Sequence, residues 1–265
     1  MKVAFGSDFH LEFGDRDFHL PDADVLVMAG DILCVNDLKF ENEYTVKGSS
    51  CRKFLRDVSE KYNKVVAITG NHEYYDGNIR EVDKIIHDCL KSENITNIDF
   101  CSKGAYVVDD VTFICATLWT DIKKGNHVVV RAKIMSDYKY IMIHDPDGHE
   151  RRLNPYDTME IHQEHKEYLD EQLKLSSGKV VIVTHHAPHM LSSIEESHSI
   201  GDFYYCCTDM EDTILDNPNI KYWIHGHLHT RHQYMIGYTT VISNCRGYHK
   251  IEPATKTFRI QILDI

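Results

Sequence analysis

Five short polar clusters carry side chains able to bind a cation. They are SDFH with Asp8 and His10, AGDIL with Asp31, TGNHEYY with Asn71 and His72, VTHHAP with His185 and His186, and HGHLH with His227 and His229. Carboxylate oxygen, amide oxygen and imidazole nitrogen together suit borderline metals such as Mn, Fe, Zn or Ni. Seven donors drawn from these clusters are too many for one ion and right for two, provided one carboxylate bridges them. The stretch WIHGHLHTRH alone holds four of the chain's 18 histidines in ten positions. A core strand has no use for so many imidazoles, and a solvated loop has no reason to collect them.

Each cluster follows an apolar run rich in Val and Ile. KVAFGSD, ADVLVMAGD, KVVAITGNH, VTFICATLW, KVVIVTHH and IKYWIHGH read as buried strands, and residues 48–62, 78–93 and 158–174 carry helical spacing of apolar positions. Strands alternating with helices predict an α/β fold, in which sites gather at strand ends. TTVISN and TFRIQIL read as closing antiparallel strands. Residues 120–157 are poorest in pattern and are expected to form a lid-like excursion from a single domain spanning 1–265.

Composition narrows the classes of function. The 265 residues carry a formal net charge of −12, so the electrostatic footprint of a nonspecific DNA or RNA groove is missing. No apolar run approaches the ~18 residues of a membrane span, and the strand-like start leaves no room for a signal peptide. Eight cysteines without paired spacing read as free thiols in a reducing cytoplasm.

The ordered set DxH, GD, GNH(E), HH and GHxH resembles the calcineurin-like metallophosphoesterase superfamily. SDFHLEFG, GNHEYYDG, ATLWTD, MSDYKYI, LNPYDTMEIHQEHKEYLDEQL, VTHHAPH, WIHGHLH and NCRGYHK are similar to one bacterial and phage branch of small metallophosphoesterases over nearly the full chain. The resemblance implies a four-layer αββα sandwich, with two central mixed β-sheets flanked by helices. It implies two divalent ions, with Mn favoured over Fe, Zn or Ni. Asp8, His10, Asp31 and His229 would hold the first ion; Asp31, Asn71, His185 and His227 would hold the second, with Asp31 bridging. Choosing His185 over His186 rests on the likeness, since spacing does not separate adjacent histidines. His227 and His229, two apart, are expected to project to one side of an extended backbone, whereas His225 and His232 read as supporting or structural.

The implied reaction is in-line attack on phosphorus by a metal-bridging hydroxide. His72 would protonate the leaving oxygen, or else merely orient the site. His186 reads as a ligand-supporting or pocket residue, or as packing. Arg246 reads as a phosphate clamp or as a surface ion pair. Glu73 and Asp76 are the sequence neighbours available to the ring nitrogens facing away from the metals. Trp119 and Asp121 face the pocket or anchor the excursion, and His162 and His165 on the 158–174 helix read as solvated. The substrate class is a small phosphodiester or phosphomonoester. A nuclease is the alternative, favoured only by Lys123, Lys124, Arg131 and Lys133, and a non-catalytic metal-binding scaffold ranks below it. No membrane partner is expected, and a homodimer is within the habit of related folds.

Overall fold

A computed structural model describes residues 1–14, 18–122, 135–193 and 206–265. In chain order the strands are β1 Lys2–Gly6, β2 Val25–Ala29, β3 Lys64–Ile68, β4 Ile98–Cys101, β5 Lys103–Val108, β6 Val111–Ala116, β7 Met142–His144 and β8 Glu150–Arg152, followed by β9 Lys179–Thr184, β10 Ile220–His225, β11 Arg231–Ile236, β12 Thr239–Asn244 and β13 Gln261–Asp264. The helices are α1 Val46–Lys61, α2 Val82–Ser92, α3 Asp137–Tyr140, α4 Pro155–Leu175 and α5 Glu211–Asp216.

Two sheets stack face to face. One has the order β13-β1-β2-β3-β4 and the other β11-β12-β10-β9-β6-β5. In β2 the side chains alternate between two dry faces: Val25, Val27 and Ala29 join Phe113, Val181 and Ile224 between the sheets, while Leu26 and Met28 pack outward against Leu55 and Val58 of α1. Burial on both faces is why these strands read as unbroken apolar runs. The outer face of the second sheet is covered by Leu169 and Leu173 of α4 and Ile214 of α5, which pack on Ile182, Trp223 and Val241. The order of layers is therefore helix, sheet, sheet, helix, as the resemblance implied.

Local chemistry sets the helix boundaries. Thr45 caps α1 by accepting the Gly48 amide, and α4 opens with Pro155 behind an Asn154–Asp157 capping box. The helix read at 78–93 starts later, at Val82, because the Asn78 side chain accepts the Arg80 amide and holds a turn there. β4, β5, β11 and the small β7–β8 hairpin escaped the sequence reading; β5 and β11 are edge strands with partly exposed residues, so they lack the apolar run. TTVISN is antiparallel only to β11 and runs parallel to β10, whereas β13 closes antiparallel on β1 as read. The described part of the 120–157 excursion comprises α3 and the β7–β8 hairpin; Lys123, Lys124, Arg131 and Lys133 lie outside the described residues. All eight cysteines are free thiols. No helix among the described residues is long and apolar enough to cross a membrane.

Candidate metal centre

β1, β2 and β3 run parallel in one sheet, and β9 and β10 run parallel in the other, so the clusters at their C-terminal ends emerge at one edge of the sandwich. A bridge between Ser7 and Cys245 joins the two sheets there. The backbone then turns abruptly. Asp8, His10, Asp31, His227 and His229 all have positive φ, between 47° and 72°, a left-handed conformation costing an L residue about 1–2 kcal/mol. Strain of this kind concentrates where a site overrides local preference. It also corrects the expectation for His227 and His229: both aim inward from left-handed turns, not from an extended strand. Glycines make the close approach possible. A Cβ on Gly30, at φ +86°, would lie 2.4 Å from His185 Nδ1, and one on Gly70 would lie 2.1 Å from Asp31 Oδ1.

The seven predicted donors converge in two sets that share Asp31. In the first, His10 Nε2 lies 3.1 Å from His229 Nε2 and 3.6 Å from Asp31 Oδ2, and His229 Nε2 lies 3.4 Å from Asp8 Oδ1. In the second, Asn71 Oδ1 lies 3.0 Å from His185 Nε2 and 3.1 Å from His227 Nδ1, and Asp31 Oδ1 lies 3.3 Å from His185 Nε2. Asp31 thus turns one oxygen to each set. Ligand atoms of Asp8, His10, Asp31 and His229, and separately of Asp31, His185 and His227, lie close enough together to hold an ion.

The rings are oriented from behind. His10 Nδ1 donates to Glu12 at 3.0 Å, His229 Nδ1 to Glu252 at 2.7 Å and His185 Nδ1 to the Ala29 carbonyl at 2.9 Å. With each Nδ1 engaged outward, Nε2 is the nitrogen each ring can offer a cation, which would displace the Nε2 proton on binding. The Asn71 amide donates to Asp137 at 2.9 Å, which aims its oxygen at the histidines. Burial alone would raise the pKa of Asp8 and Asp31. The hydrogen bond and charge of His229 at Asp8, and the charge of His185 at Asp31, outweigh it and hold both carboxylates ionised. Conversely, burial lowers His185 and His229, but Asp31 brings the first up to about 9 and Asp8 brings the second up to about 10.

The family model for calcineurin-like phosphoesterases matches residues 1–231. The chain belongs to the calcineurin-like phosphoesterase family. An uncharacterized protein of Acanthamoeba polyphaga mimivirus is 29% identical over 93% of this chain and 91% of its own length. The phosphopantetheinyl hydrolase of Mycobacterium tuberculosis shares the fold at a TM-score of 0.68, with 15% identity over 98% of this chain and 95% of that one. A dimetal phosphatase from Danio rerio does so at 0.55, with 12% identity over 96% and 89%. As a member of its family, the chain is a metal-dependent phosphoric ester hydrolase.

The remaining predicted residues of the phosphoesterase divide. His72 borders the first donor set: its amide donates to Asp31 Oδ1 at 2.8 Å, and its Nδ1 lies 2.9 Å from Glu12 Oε1. Its Nε2 lies 3.2 Å from the Tyr248 hydroxyl, and its ring stacks on Tyr75. His186 lies behind the second set, its Nδ1 3.2 Å from the Thr117 carbonyl and its ring stacked on Trp119. Burial pushes its pKa well down, so it stays neutral. Arg246 is not placed as a phosphate clamp. Its guanidinium is buried beneath the site, donating to the Phe9 carbonyl at 2.7 Å and lying over the Phe18 ring.

Glu73 and Asp76 do not support the ligand rings. Glu73 instead accepts the amides of Asp31, Ile32, Leu33 and Gly70 at 2.6–3.0 Å. His162 and His165 are buried, not solvated; they bond to the carbonyl and amide of Leu118 and so pin α4 to the end of β6. His225 is buried and bonds Ser192 and His232. The residues that do support the site, Glu12, Asp137, Tyr248 and Glu252, carried one sequence signal each at best. Glu12 lies two positions beyond His10, where a tight turn can fold it back onto that ring.

Proposed function

We propose that this phosphoesterase hydrolyses a small phosphodiester or phosphomonoester at a two-cation centre, with His72 as the proton donor to the leaving oxygen. The observation that carries the reading is Asp31, whose two oxygens face two separate sets of buried donors. The donor chemistry fits a pair of cations. His10 and His229 present Nε2 atoms to each other at 3.1 Å while their Nδ1 atoms face Glu12 and Glu252, so both inward nitrogens are placed to share one cation. Asp8, His10, Asp31 and His229 would hold one cation; Asp31, Asn71, His185 and His227 would hold the other. Bound cations supply an acidified water and positive charge for the phosphoryl oxygens. Mn is the first ion to test.

The chain's own residues do the rest. A water that has given one proton to solvent bonds through its oxygen to phosphorus as the phosphorus–ester bond breaks, and the departing oxygen takes a proton from His72 Nε2, which solvent restores. Glu12 holds the opposite ring nitrogen, so Nε2 keeps its aim. Burial opposes a charged His72, but the charge of Asp31 and the bond to Glu12 raise its pKa and favour the protonated form a general acid needs.

The test uses mono- and bis-p-nitrophenyl phosphate with metal-loaded protein. Asp31→Asn is expected to lower turnover by at least ~10²-fold, the upper cost of losing even a metal-supporting residue. Chelation should abolish turnover and added Mn restore it. Equal turnover by the variant and the parent would remove the reading.

A further inference from the structure

A cavity of 490 Å³ opens beside His72, and Glu12 and His72 are part of its lining. It is within the size range of a small-molecule site. Resting on the proposed role of His72, the alcohol that leaves must occupy this cavity, because the proton is delivered at its wall. Two features of the lining restrict that alcohol. The first is aromatic. Phe13 and Tyr248 pair at 5.2 Å, Tyr75 and Tyr140 pair at 5.6 Å, and all four rings line the cavity. The Tyr75 ring is fixed by stacking on His72 and by a hydroxyl bond to Asp137 at 2.8 Å.

The second feature is charge. Asp37 and Asp76 line the cavity, and among the described residues neither side chain is engaged in a hydrogen bond or ion pair. Glu12 adds a third carboxylate to the lining. Lys47 is the sole lysine or arginine among the described lining residues, and it is exposed. Aromatic faces attract organic cations through their quadrupole, and carboxylates do so directly. Both repel or fail to bind an anionic group. We infer that the phosphoesterase is selective for esters whose leaving alcohol carries an ammonium group, held by the aromatic rings of this lining together with Asp37 and Asp76.

The inference separates from the general hydrolase reading through isosteric substrates. Choline phosphate and 3,3-dimethylbutyl phosphate have the same shape and differ in one positive charge; 3-phosphoglycerate supplies the anionic case. Each monoester, and its methyl diester, is monitored by ³¹P NMR with the Mn-loaded full chain. The choline ester is expected to exceed its uncharged isostere in kcat/KM by about tenfold, through KM, with 3-phosphoglycerate the slowest. The Asp37→Asn/Asp76→Asn double variant should bring the choline and dimethylbutyl esters to parity, and Tyr140→Leu should narrow their ratio. Equal kcat/KM for the two isosteres in the parent, or a preference for the anionic ester, would overturn the inference while p-nitrophenyl phosphate hydrolysis left the hydrolase reading standing. Failure to cleave p-nitrophenyl phosphate as well would remove both.

Discussion

Glu12 shows how much one side chain beyond a motif can decide. Its Oε1 lies 3.0 Å from Nδ1 of His10 and 2.9 Å from Nδ1 of His72, so one carboxylate oxygen sets the tautomer of a proposed ligand and of a proposed acid together. Glu12→Gln keeps the volume but replaces the charge with an amide. It is expected to lower kcat by about 10–100-fold, as outer residues of metal sites do. The loss should be larger for alkyl esters than for p-nitrophenyl esters, because a poor leaving group needs the His72 proton and a good one does not. Glu12→Asp should recover less than full activity, since the shorter arm cannot reach both rings. A uniform loss across leaving groups would show that Glu12 only holds the loop together.

At the scale of elements, Glu73 ties the turn after β2 to the turn after β3. It accepts two amides on each oxygen: Ile32 and Leu33 on Oε1, Asp31 and Gly70 on Oε2. These amides belong to turns that have left their sheets, so without Glu73 they would be buried without acceptors. Burial and the charge of Asp31 push the Glu73 carboxyl up, and the Leu33 and Gly70 amides oppose that shift. Glu73→Gln turns an N–H₂ group toward two of the four amides. It should cost about 3 kcal/mol, from two unmet donors at 1–3 each. Urea unfolding should show a lower midpoint with an unchanged slope. An unchanged midpoint would mean the two turns hold their shape without it.

The whole molecule carries a pH dependence written by its buried imidazoles. Burial lowers His165 and His225 to about 3, and lowers His162 and His186 as well. Between about pH 6.5 and 3 the unfolded chain binds protons at these positions and the folded chain does not, so stability falls as pH falls through that window. His185 and His229, raised to about 9 and about 10, act in the opposite sense: their contribution is complete below 6.5 and is lost as pH rises through those values. His165 lies outside the donor sets, which makes it the clean test. His165→Asn retains an acceptor for the Leu118 amide and should flatten the stability-against-pH slope between 6.5 and 4.5, by about 1.4 kcal/mol per pH unit. Denaturant unfolding with chelator present measures this, and parallel slopes for parent and variant would refute it.

The sequence alone announced an α/β chain with cation-binding side chains at its strand ends, while the four-layer sandwich came from the family resemblance. Unbroken Val- and Ile-rich runs announce strands buried on both faces, and each run ends in the residue types that bind cations. Periodicity and side-chain chemistry are local properties, legible one segment at a time. Only the tertiary structure decided which groups stand behind the donors. Glu252 meets His229 from 23 residues away, Asp137 meets Asn71 from 66, and Tyr248 meets His72 from 176. No spacing rule connects such pairs, because the contact is made by strand order and left-handed turns that no local propensity favours. For the same reason His162 and His165 read as solvated, and Arg246 as a phosphate clamp or a surface ion pair, and all three lie buried in the fold. A polar side chain's burial depends on what packs above it, and that is fixed only when the layers close.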